Sequence, residues 1–116
     1  MDLSKLIERQ LAADRRRGFP LDFETSADRL RQIEADLIGL FGEVGEFANL
    51  IKKIRLSHDH PDYVGPALDE ASHTLRIELA DAAIYIIRLS AILGGNLEED
   101  ILSKMDLNDV RYGKLG

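Results

Sequence analysis

Eight apolar residues recur along one segment of this chain at steps of 3, 4, 3, 4, 3, 4 and 3: Leu30, Ile33, Leu37, Leu40, Val44, Phe47, Ile51 and Ile54. A strand alternates its faces every second residue and could not bury such a set on one side. A helix can, for about seven turns. The chain must therefore build a long helix after Thr25-Ser26, either of which can cap it, and must pack a heptad-like seam against another helix, in a bundle or a dimer. Gly39, Gly42 and Gly45 lie within the same segment. Each costs a helix interior about 1 kcal/mol relative to alanine, so the three need a packing or functional reason.

The rest of the sequence also reads as helix. Leu3, Leu6, Ile7 and Leu11 form a stripe on a segment running to Arg17. Arg15-Arg16-Arg17 followed by Gly18 and Pro20 is a helix stop. A polar loop is expected over Ser57–Gly65. A third helix then begins after Pro66 or near Ser72 and runs to Leu93. Its centre, Ile77 to Ile87, is apolar nearly all round, which predicts a central position. Gly94-Gly95 ends it, and Asn96 with Glu99 forms a capping box for a last helix over about Leu97–Tyr112. No useful strand alternation and no repeat occurs. The expected fold class is all-α, a four-helix-bundle-like arrangement, with residues 1–116 as one domain.

Composition narrows the chemistry. There is no cysteine, which removes disulfides, zinc-thiolate sites and thiol catalysis. The net charge of −6 argues against nucleic acid as the main partner, but a phosphate ligand remains compatible if a divalent cation accompanies it. No apolar run reaches the ~20 residues needed to cross a bilayer. The opening Met1-Asp2-Leu3-Ser4 lacks the pattern of a signal peptide, so a cytoplasmic location without membrane contact is expected.

Two acidic pairs, Glu43/Glu46 and Glu78/Asp81, have i, i+3 spacing, which puts both carboxylates of a pair on one helix face. Four Asp/Glu pairs at this spacing occur in the chain, about what composition alone gives, so the count decides nothing. Their surroundings decide more. Glu43 is flanked by Leu40, Phe41, Val44 and Phe47, and Glu78 with Asp81 by Leu75, Ile77, Leu79, Ala82 and Ile84. Carboxylates in apolar helix centres are costly unless paired or bound to metal. Oxygen-only ligands suit Mg²⁺, with Mn²⁺ as a substitute. Lys53 lies two turns past Glu46, and Tyr85 one turn past Asp81. Lys104, Asn108 and Arg111, at steps of 4 and 3, present donors suited to phosphate oxygens on one face of the last helix.

Bland readings stand beside these. The carboxylates could be solvated helix faces, and Lys104 and Arg111 could simply complement a helix C-terminus. Tyr85 could stack on a base or fill the core. His58-Asp59-His60 reads as a polar loop, His73 as a helix residue and Arg15–Arg17 as a solvated helix end.

Glu43-x-x-Glu46 followed by Glu78-x-x-Asp81 resembles the signature of the all-α nucleoside triphosphate pyrophosphohydrolases, the MazG-like superfamily. Gly42-Glu43-Val44-Gly45-Glu46-Phe47 and Ser103-Lys104-Met105-Asp106-Leu107-Asn108-Asp109-Val110-Arg111-Tyr112 are similar to the dCTP pyrophosphatase branch. The resemblance spans roughly Leu37 to Lys114. It implies a MazG-type fold assembled as a homodimer or as a homotetramer, a dimer of dimers. It also implies Mg²⁺-dependent hydrolysis of a nucleoside triphosphate to the monophosphate and pyrophosphate. By that resemblance Glu43, Glu46, Glu78 and Asp81 hold the metal, Glu43 or Glu46 activates the water, and Lys104, Asn108, Arg111 and Tyr112 contact the phosphates. The chain departs from many members at Gly42 and Asn49, where they carry Glu. At Lys53 the dCTP branch places one of the tryptophans around its base, and this chain has no tryptophan. A house-cleaning role is an analogy of the family. Two other readings stay open: a non-catalytic helical module that binds nucleotide and regulates or dimerises, and a phosphoribosyl-ATP pyrophosphohydrolase.

Overall fold

A computed structural model describes residues 1–113. Among them are four helices and no strand: α1 (Leu3–Arg17), α2 (Ser26–Asp59), α3 (Leu68–Ile92) and α4 (Leu97–Tyr112). The architecture is all-α, as the periodicity requires. Lys114, the last residue of the resemblance, lies outside the described residues.

The helix boundaries follow from local hydrogen bonding. Asp2 caps α1 by accepting from the Lys5 amide at 2.9 Å. At its end Gly18 adopts φ 74°, and the Gly18 and Phe19 amides return to the Arg15 and Asp14 carbonyls. Thr25, rather than Ser26, caps α2, its hydroxyl accepting from the Asp28 amide at 3.1 Å. Asn96 caps α4 through the Glu99 amide at 3.1 Å.

α2 runs 34 residues and continues to Asp59, two residues past the expected start of the loop. Arg55 and Asp59 form an i, i+4 ion pair at 2.8 Å, and the His58 ring lies 3.0 Å from the same carboxylate. The His58 contact, and after it the Arg55 charge, hold the Asp59 carboxyl below its ordinary range. Pro61 then denies the helix a continuation. The stretch His58-Asp59-His60 is exposed, but His58 and Asp59 form the last residues of α2 rather than the expected loop. α3 starts soon after Pro66, the earlier of the two expected positions.

Two compact units emerge. The first comprises, among the described residues, 1–32 and 87–113. It buries Ala13, Leu21, Ile87 and Ile92 around an ion pair, Arg88 to Asp14 at 3.0 Å, with side-chain exposures of only 7% and 1%. Gln10 also donates to Asp14, and Arg88 to the Pro20 carbonyl at 3.0 Å. Arg29 donates to the Ile92 carbonyl at 2.8 Å. α4 belongs to this unit, and none of its residues is buried.

The second unit, Ile33–Ile86, is a helical hairpin of α2 and α3. Its loop is tied down by the Ser57 hydroxyl donating to the Gly65 carbonyl at 3.2 Å. Among the described residues its buried apolar side chains are Ala71 and Leu75. The heptad seam splits in two along α2. Ile33, Leu40, Phe47 and Ile54, each seven residues from the next, are half-buried. Leu30, Leu37, Val44 and Ile51, equally spaced, are exposed, Val44 by 50%. α3 behaves similarly. Although apolar all round, it exposes Ile77 and Ile84 on one side and Leu79 and Ile86 nearly opposite, so the single chain does not bury it as its sequence predicts.

Candidate metal centre

Two antiparallel turns of helix bring the acidic residues together. Glu43 and Glu46 project from α2, and Glu78 from α3. One carboxylate oxygen from each lies within 4.8 Å of the other two. Glu43 and Glu78 are half-buried, and Glu46 is exposed. Among the described residues this is the one such cluster of metal-ligating side chains. Asp81, one turn beyond Glu78 and half-buried, stands outside that mutual 4.8 Å grouping.

The electrostatics are unfavourable without a counter-charge. Glu43 Oε2 and Glu78 Oε2 are both buried, and neither has a hydrogen-bond partner. A carboxylate oxygen can only accept, so two of them facing each other need a proton or a cation between them. The Glu78 carboxyl is pushed up to about 7, first by its contact with Glu43, then by Glu46, and then by partial burial.

The donor set fits a hard divalent cation. It is all oxygen, it concentrates negative charge, and it leaves two buried oxygens unsatisfied. Mg²⁺ or Mn²⁺ takes such ligands and Zn²⁺ prefers nitrogen or sulfur.

The other candidate residues fall in two groups. Lys53 is exposed on α2, on the helix that carries Glu43 and Glu46. Tyr85 is half-buried in the same unit, with its ring against Gly39. Lys104, Asn108, Arg111 and Tyr112 lie along α4 in the first unit. Asn108 is half-buried and the others are exposed. The Arg111 guanidinium sits 5.0 Å from the Tyr112 ring centroid, a cation–π contact. Sequence reasoning singled out Gly39 and Tyr85 separately and missed that they touch. Nothing in the local pattern carries that information.

The chain is similar to curated dCTP pyrophosphatases. It is 37% identical over 76 residues to dCTP pyrophosphatase 1 of Mus musculus, covering 66% of this chain and 43% of that protein. The corresponding figures for dCTP pyrophosphatase 1 of Homo sapiens are 38% over 76 residues, with the same coverage. The chain thus spans less than half the length of the relatives it matches. No family model matches it, and no solved structure does.

Proposed function

We propose that this chain is a Mg²⁺-dependent nucleoside triphosphate pyrophosphohydrolase, which hydrolyses a (d)NTP to the (d)NMP and pyrophosphate. The observation that carries the reading is the cluster of Glu43, Glu46 and Glu78 with its two buried, unpartnered oxygens. The similarity to dCTP pyrophosphatase 1 supports it.

Glu43, Glu46, Glu78 and Asp81 would hold the cation. When bound, Mg²⁺ supplies Lewis-acid stabilisation of charge developing on the phosphate oxygens. Glu46, the exposed member of the cluster, accepts the proton of the water that attacks the α-phosphorus. Lys53 and Tyr85 contact the nucleotide from opposite ends of the acidic stretch. Lys104, Asn108, Arg111 and Tyr112 offer donors to phosphate oxygens.

The working unit is a homodimer or a homotetramer built as a dimer of dimers. The uncovered half of the heptad seam, with Ile38 and Phe41 exposed by 72% and 66% beside it, is a stripe of exposed apolar side chains of the kind that marks an interaction surface. An all-helical stripe repeating every seven residues is suited to its own copy.

The test is pyrophosphate release from a panel of ribo- and deoxyribonucleoside triphosphates, with and without Mg²⁺. Release of pyrophosphate that depends on the metal supports the reading. Nucleotide binding with no turnover on any substrate would favour a non-catalytic module instead.

A further inference from the structure

A side chain at position 39 would collide with Tyr85. A Cβ built on Gly39 overlaps the tyrosine ring and comes within 2.6 Å of its hydroxyl oxygen. The same construction on Gly42 or Gly45 meets nothing within 4 Å. Of the three glycines inside α2, Gly39 alone is demanded by a contact across the hairpin. The bare backbone there lets the ring lie directly on α2, one turn before Glu43. On α3, Tyr85 stands one turn beyond Asp81 and two beyond Glu78. The ring therefore flanks the acidic cluster and is fixed in place by the glycine beneath it.

We propose that Gly39 is a positioning residue for the bound triphosphate: its missing side chain seats the Tyr85 ring against α2, so that the phenol hydroxyl is held ready to donate to a phosphate oxygen at the carboxylate cluster. The inference depends on the pyrophosphohydrolase reading above. The clashing atoms are the far end of a side chain. Alanine at position 39 therefore turns the ring away without breaking α2, and alanine is also the better helix former. Loss of a fixed donor weakens binding of the ground state and the transition state alike, which appears in KM rather than kcat.

The experiment is steady-state pyrophosphate release from the Mg²⁺–nucleotide by wild type, Gly39→Ala, Tyr85→Ala and the double variant. Gly39→Ala is expected to raise KM about tenfold, the scale of one charge-assisted hydrogen bond, with kcat within about twofold and no fall in melting temperature. In the Tyr85→Ala background the same change is expected to do nothing further. A spectroscopic reading accompanies it. The chain has no tryptophan and three tyrosines, so in a Tyr63→Phe/Tyr112→Phe background the emission belongs to Tyr85 alone. Gly39→Ala should make that emission easier to quench with acrylamide. An unchanged KM in an active enzyme overturns the inference and leaves the function standing. So does an equal KM rise in the Tyr85→Ala background, or a lowered melting temperature, either of which makes Gly39 a packing residue. A wild type that releases no pyrophosphate from any triphosphate overturns the function itself, and this inference with it.

Discussion

Glu43 on α2 and Glu78 on α3 bring carboxylate oxygens within 4.8 Å of each other, and each residue holds one buried oxygen without a hydrogen-bond partner. Two acceptors in that arrangement are stable only with positive charge between them. The proton and the metal ion compete for the same place, and the competition is measurable.

In the metal-free chain Glu78 titrates at about 7 instead of its ordinary 4.5. The folded value lies above the unfolded one, so between those two pH values the folded chain keeps a proton that the unfolded chain has lost. Metal-free stability should therefore fall as pH rises through that window. Mg²⁺ must displace the proton, so its affinity should climb from pH 6 to pH 8 and then level. Thermal melts across this range, with and without Mg²⁺, check both trends. Glu78→Gln should flatten the metal-free curve and remove the Mg²⁺ response. A Mg²⁺ response that survives Glu78→Gln contradicts the assignment.

The buried ion pair between Arg88 and Asp14 anchors the first unit and touches no proposed ligand. Removing one partner strands the other charge in the interior. Arg88→Ala should therefore cost about 3–5 kcal/mol of stability, read as a drop in melting temperature or denaturant midpoint. The double change Asp14→Leu/Arg88→Met should recover part of the loss, because it removes both buried charges while leaving Gln10 and the Pro20 carbonyl without these partners.

The exposed half of the α2 seam predicts self-association. The wild type should sediment as a dimer or tetramer, and Phe41→Glu, which puts a charge on the stripe, should shift it toward monomer and lower its melting temperature. A wild-type monomer at all accessible concentrations contradicts the assembly.

Much of this was legible in the sequence because its signals are local. Gly18 and Asn96 fix the end of α1 and the start of α4 at the expected residues through hydrogen bonds three or four residues long. The acidic pairs were legible because i, i+3 spacing places carboxylates on one face before any fold is known. The end of α2 was less so, since the Arg55–Asp59 pair extends a helix through residues whose polarity suggests a loop. The seam was visible as eight positions, but not that a single chain half-covers one set of four and exposes the other. That division depends on which helix packs where, and on how much apolar surface a two-helix hairpin can bury. The Asp14–Arg88 pair and the seating of Tyr85 on Gly39 join residues far apart in the chain, and no spacing rule announces either.

The most direct test of the central claim compares wild type with Glu46→Gln for pyrophosphate and nucleoside monophosphate formed from a (d)NTP in the presence of Mg²⁺. The wild type should form equal amounts of the two products, and none without divalent cation. Glu46→Gln should lose about a hundredfold or more of the rate, with helicity retained. An unchanged rate in Glu46→Gln, or orthophosphate as the product in place of pyrophosphate, contradicts the claim.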